Sequence, residues 1–83
     1  MQNLKLIVLM NQQILVSQIE EVGSELGEPD CKLINPYLID ENNQLNKFLN
    51  GYSDENIFMI HSDKILTITN PSEDIVKKYK VSN

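Results

Sequence analysis

Residues 57–69 read IFMIHSDKILTIT. Two apolar, β-branched runs flank a polar break that holds His61, the single histidine of the chain, with Ser62 and Asp63. Each run has strand length and is too short for a stable helix. Ser and Asp are common turn residues because their short side chains hydrogen-bond the nearby backbone. The stretch therefore predicts a β-hairpin, strands 57–60 and 64–69, closed by Ser62-Asp63. His, Ser and Asp are also the residue types of a hydrolytic triad. A triad gathers its groups from separate elements, with the hydroxyl and the carboxylate on opposite nitrogens of one imidazole. Three consecutive residues cannot adopt that arrangement, so no catalytic residue is assigned. Cys31 and His61 would form a nucleophile pair only if the fold joined them.

Upstream, LKLIVLM (4–10), ILVSQIEE (14–21) and CKLINPYLI (31–39) predict three more strands. Asn11-Gln12-Gln13 breaks the first from the second. The loop 23–30, GSELGEPD, separates the second from the third with two glycines and a proline. Pro36 lies inside the third strand. It cannot donate to a ladder, so the strand is an edge there, or kinked or bulged. Residues 40–56 are polar with islands at Leu45, Phe48, Leu49 and Tyr52, and read as a solvated loop with room for one helical turn. Downstream, NPSEDIVKKYK predicts a helix over 71–80. Asn70 is its expected N-cap, Pro71 suits its first position, and Lys77, Lys78 and Lys80 sit at its negative end. Ile75, Val76 and Tyr79 form the apolar stripe that would dock on the sheet.

The expectation is one small domain over residues 1–83 that is mainly all-β: a strongly bent five-stranded antiparallel barrel with a short C-terminal α-helix. A chain of this length buries only about 60% of its unfolded surface, so extra stability is needed from outside the core. One cysteine excludes an intrachain disulfide and fits a reducing compartment. One His and one Cys do not complete a structural zinc site, so no metal or cofactor is expected. That leaves association as the source of stability. The strand patterns agree. LKLIVLM, IFMI and KILTI are apolar on both faces, whereas a lone small barrel has only one inside. The terminal helix would cover part of the second face, and a neighbouring copy the rest.

No secretory pattern or membrane-length apolar run is seen, so the expected location is the cytoplasm, without membrane association. The chain is acidic, with 12 Asp and Glu against 7 basic residues and a net charge of −5. All the basic residues are lysines. This opposes broad nucleic-acid binding, which depends on phosphate neutralisation, but a local site survives because fields fall off over roughly 10 Å.

At Ile60-His61-Ser62-Asp63-Lys64-Ile65-Leu66, with Phe58-Met59 before and Thr67-Ile68 after, the chain resembles the second motif of Sm-like (LSm/Hfq-type) proteins. Leu33-Ile34-Asn35 with Tyr37-Leu38-Ile39 is similar to their first motif, and NQQILVSQIEE to their second strand. The likeness covers most of residues 4–69. The pattern is most similar to small Sm-like proteins of marine phage (cyanophage) origin, for which the location would be the host cytoplasm. Departures are the one-residue-longer spacing from Asp30 to Asn35, Pro36 within the strand, His61-Ser62 in place of Arg-Gly, and a helix at the C-terminal rather than the N-terminal end.

The resemblance implies a homo-oligomeric ring of about five to seven subunits, joined by edge strands 57–60 and 64–69. It also implies binding of single-stranded RNA or DNA in a central pore, with a role in nucleic-acid processing. On it, His61 is a base or phosphate contact, Lys64 a cation facing the pore, and Asn35 a hydrogen-bonding group to a base edge. Lys32 lies near the family's stacking position, and Ser62 and Asp63 complete the turn. The competing expectation is a plain polar turn in a structural or adaptor oligomer that binds protein. An enzyme is not expected.

Overall fold

The computed structural model describes residues 4–23 and 25–82. The chain runs β1 (Leu4–Leu9), β2 (Ile14–Glu21), β3 (Cys31–Ile39), β4 (Leu45–Lys47), β5 (Ile57–Ile60), a 3-10 turn (Ser62–Lys64), β6 (Ile65–Thr69) and α1 (Glu73–Ser82). It is an antiparallel, mainly-β protein with one C-terminal helix. The sheet order is β4-β3-β2-β1-β6, with β5 also on β3.

The decisive feature is a bulge in β3. Val16 pairs with Tyr37 and Gln18 with Ile34, so Ser17 alone stands opposite both Asn35 and Pro36. Asn35 takes a left-handed conformation, φ 52°, which asparagine tolerates better than most residues. Pro36 lacks an N–H and is buried. The interruption is satisfied throughout. The Asn35 N–H donates to the Asn56 carbonyl (2.7 Å), and the Pro36 carbonyl accepts from Phe48 N–H (3.0 Å). The buried Ser17 hydroxyl lies 2.8 Å from the Gln18 carbonyl and 3.1 Å from that of Ile34. At the bulge, β3 also changes its outer neighbour. Residues 31–34 pair with β5, and 37–39 with β4.

The bulge sorts side chains onto two faces. On one, Ile7, Leu9, Leu15 and Leu33 form a core, joined by Ile19, Leu38, Phe48, Phe58, Ile60 and Ile65. Phe48 and Phe58 meet edge to face at 5.4 Å. On the other, Leu4, Val16 and Tyr79 are buried with Tyr37, Ile39, Leu45, Ile75 and Val76. This second core is the helix-docking site, so the terminal helix covers one of the two apolar faces as its stripe predicts. The Tyr79 hydroxyl donates to the Asn35 carbonyl (2.9 Å), and its ring meets Tyr37 edge to face at 5.6 Å. The Tyr37 hydroxyl in turn donates to the Ser82 carbonyl near the helix end (2.8 Å).

Several expectations change. Strands 57–60 and 64–69 are present but do not form a hairpin with each other. β5 pairs with β3, β6 pairs with β1, and the 3-10 turn carries the chain between them. The strand set at 64–69 begins at Ile65 because Lys64 closes that turn, and the strand set at 4–10 ends at Leu9, where the β1–β6 register slips by one residue. The segment 40–56 is not all loop. Asp40 accepts the N–H groups of Asn42 and Gln44, both at 2.9 Å, and folds the chain back into the short strand β4. The helix runs over 73–82 rather than 71–80. Its N-cap is Ser72, whose hydroxyl accepts from Ile75 N–H (3.3 Å), while Asn70 instead accepts from Lys5 Nζ (2.7 Å).

Candidate functional site

The turn after β5 is held from both sides. Ile60 pairs with Cys31, so Asp30 at the mouth of β3 lies beside the turn. His61 leaves β5 in extended conformation (φ −79°, ψ 131°), and Lys64 N–H donates to its carbonyl (3.1 Å). The Asp30 carboxylate accepts both the Ser62 N–H and the Ser62 hydroxyl, each at 2.7 Å. On the other side, the Lys64 carbonyl accepts from Met10 N–H (2.8 Å), just past the end of β1. The two Ser62 hydrogen bonds hold the Asp30 carboxyl below its ordinary pKa, with a smaller contribution from the nearby His61.

This geometry settles what the hydroxyl does. The Ser62 hydroxyl donates to Asp30 rather than to His61 and so ties the turn to the mouth of β3. Cys31 is buried. Burial, helped by Asp30 and Glu21, pushes its thiol up and away from the thiolate form that nucleophilic attack needs.

Ser62, Asp63 and Lys64 are exposed and His61 is half-buried, so the turn offers its polar groups outward. Lys32 sits at the same end of the sheet, opposite Met59, but Glu20 stands across from it on β2 and reaches its ammonium at 3.4 Å. Asn35 is elsewhere. It follows Ile34, which pairs with Ile57 at the far end of the β3–β5 ladder, about 10 Å from the His61 end at ~3.3 Å per residue. Its backbone groups serve Asn56 and Tyr79. The structure thus gathers His61, Ser62, Asp63, Lys64 and Lys32, and leaves Asn35 in the bulge. Asp30 is the residue that sequence reasoning missed. Its role depends on Ser62, 32 residues away, and no local pattern signals it.

Electrostatically the turn is not a phosphate trap by itself. Asp30 and Asp63 offset Lys64, and Lys32 has a carboxylate beside it. The stronger signal lies in the strand edges. Among the described residues, β5 pairs only with β3 and β6 only with β1, so each keeps one free edge. Ile57 and Met59 on β5, and Leu66 and Ile68 on β6, are about half exposed or more. An open groove of about 540 Å³ adjoins β6, lined by Ile19, Cys31, Ile65, Leu66 and Ile68 with Lys5, Glu21, Ser62 and Thr67. Unpaired edges with apolar side chains are templates for strand addition.

Fold and site together define a small antiparallel β protein in which, among the described residues, β4, β5 and β6 each pair with a single strand, and a tethered polar turn lies between β5 and β6. The chain belongs to a family of unknown function, DUF6561, whose profile matches residues 2–82. No curated protein matches it.

Proposed function

We propose that this chain is an Sm-like ring subunit. The free edge of β5 in one copy adds to the free edge of β6 in the next, giving a closed ring of about five to seven copies. The repeated 61–64 turns then line a pore that contacts single-stranded nucleic acid, RNA before DNA, through His61 and Lys64, in a cytoplasmic setting. The observation that carries this reading is the pair of free edges, each bearing exposed apolar residues, on the two strands that flank the turn. A ring multiplies a weak contact by the number of copies, which compensates for the small charge of each turn.

A second reading has its own support. The turn carries Asp30 and Asp63, and Lys32 is engaged by Glu20. A ring of such turns suits a structural or adaptor role toward protein partners. Fluorescence anisotropy with oligo-U and oligo-A separates the two. The nucleic-acid reading expects binding that weakens as salt rises and on His61→Ala or Lys64→Ala. Absence of binding by an assembled ring leaves the adaptor role. Light scattering tests the ring itself, and a monomer at micromolar concentration would sink it.

A further inference from the structure

Leu26 is the most exposed large apolar side chain among the described residues, at 106%. It is held outward by a tight turn. The Glu28 N–H donates to the Glu25 carbonyl (3.0 Å), and Gly27 supplies the left-handed φ of 88° that the turn requires. The result is an apolar knob between two exposed carboxylates, with Glu20 and Glu21 behind it at the end of β2. The chain also holds a surface of the opposite character. Beside α1 and β4 lies a groove of about 320 Å³, lined by Gln44, Leu45, Lys77, Lys78, Val81 and Ser82. Val81 is 89% exposed and Lys77 is exposed beside it, while Lys80, also exposed, belongs to the adjoining surface with Pro71, Glu73, Val76 and Lys77. Lys78 already meets Asp74 (3.5 Å) and donates to the Asn43 carbonyl (2.9 Å), so Lys77 and Lys80 are the cations left to an incoming anion.

Knob and groove lie at opposite ends of β3. The acidic turn precedes Cys31, and the groove adjoins the connection that follows Ile39. Nine residues of strand separate them, on the order of 25 Å along the chain, so the knob of one molecule meets the groove of another. We propose that a second copy of this chain docks head to tail, its Leu26 seated against Leu45 and Val81 and its Glu25 and Glu28 facing Lys77 and Lys80. The occupant follows from the complementarity: an apolar group bracketed by carboxylates fits a groove that offers Leu45 and Val81 as its apolar contacts, Lys77 on its wall and Lys80 on the adjoining surface. The contact is heterologous, so it propagates rather than closing as a two-fold dimer. It is also small and carried by exposed ion pairs, so it is weak and salt-sensitive. It shares no residue with the β5–β6 edges and does not rest on the ring reading. Where rings form, it stacks them.

The test is sedimentation velocity on the full chain over a concentration series, at low and high salt. Self-association beyond that made by the β5 and β6 edges is expected at low salt and lost at high salt. Leu26→Asp, at a position with nothing to unfold, weakens it by about tenfold, in keeping with the loss of one buried leucine. Lys77→Glu with Lys80→Glu does the same. Adding Glu25→Lys and Glu28→Lys to that pair restores association. A peptide of residues 22–30 shifts the amide resonances of Gln44, Leu45 and Val81 in the full chain. Edge variants Leu66→Lys with Ile68→Lys leave this association in place, so its failure is distinguishable from failure of the ring. Association that ignores salt and Leu26→Asp, charge reversal without rescue, or a peptide that moves none of those resonances overturns the proposal.

Discussion

Asp30 and Ser62 are 32 residues apart in sequence and share two hydrogen bonds of 2.7 Å, one to the Ser62 N–H and one to its hydroxyl. The contact fastens the turn after β5 to the mouth of β3 and sets the presentation of His61 and Lys64. Because the folded protein favours the ionised form, the Asp30 carboxyl is held below its ordinary value. A carboxylate with a lowered folded pKa stabilises the fold above its unfolded pKa, and that contribution is lost as pH falls through the folded one. Asp30→Asn is thus expected to lower stability at neutral pH. Its deficit relative to the natural chain stays flat down to about pH 4 and shrinks below. Urea unfolding of both proteins across that range checks this. A deficit that grows toward acid would contradict it.

Ser62→Ala separates the two bonds. It removes the hydroxyl but keeps the N–H that Asp30 also accepts. Its effect is expected to be smaller than that of Asp30→Asn, and the pair of substitutions less than additive, because both act on one contact. A double-mutant cycle in denaturant measures the coupling. Full additivity would show that the contact carries no coupling energy.

Tyr79 is the keystone of the helix-docking core. It is fully buried and its hydroxyl satisfies the Asn35 carbonyl inside the bulge. Tyr79→Phe keeps the ring but leaves that carbonyl without its partner, at a cost of about 1–3 kcal/mol. Tyr79→Ala also opens a cavity against Leu4 and Val16, and is expected to cost about 3–5 kcal/mol. Calorimetric or urea unfolding distinguishes the two. If Tyr79→Phe were silent, water would be serving the Asn35 carbonyl.

The bulge makes its own prediction. Asn35 sits at φ 52°, where a β-branched residue is strained. Asn35→Gly is expected to be tolerated within about 0.5 kcal/mol, and Asn35→Val to destabilise by about 1–3 kcal/mol. On the proposed pore, with its contacts at His61 and Lys64, neither change alters nucleic-acid affinity once the protein is folded, because Asn35 lies beyond the far end of the β3–β5 ladder. Reduced affinity with unchanged oligomeric state would add Asn35 to the proposed contacts.

What was legible in the sequence follows from which interactions are local. The principal strands were visible because apolar, β-branched runs announce themselves, and Pro36 announced the interruption of β3. The stripe Ile75, Val76 and Tyr79 announced helix docking. Pairing was not visible. Ser62-Asp63 reads as a hairpin turn, yet the 3-10 turn sends β6 across to β1 because Met10 and Asp30 hold it there. Asn70 and Ser72 are both competent N-caps, and Lys5 decides between them by taking the Asn70 carboxamide oxygen. Strand β4 depends on the Asp40 turn, which ties back to residues that read as loop. Within the candidate site the turn residues were readable and Asp30 was not, since its meaning lies in a residue 32 positions away.

The strand edges give the sharpest prediction about assembly. A β5-to-β6 contact is heterologous: each copy offers β5 to one neighbour and β6 to the other. Blocking either edge with charge stops growth, because lysines on an edge strand oppose strand addition. Ile57→Lys with Met59→Lys blocks the first edge, and Leu66→Lys with Ile68→Lys the second. All four side chains are substantially exposed, so the isolated fold should survive. On the proposed ring, each double variant alone is unable to close it. Mixed in equal amounts, the two still have one intact β5 and one intact β6 between them. They should therefore form one-to-one dimers and nothing larger through these edges, which light scattering resolves by mass. A two-fold contact of β6 with β6 predicts a different outcome. The β5-blocked variant would then dimerise alone and mixing would add nothing. Dimers found only in the mixture establish that the two strands flanking the His61 turn pair with each other across molecules, although within one molecule they do not pair.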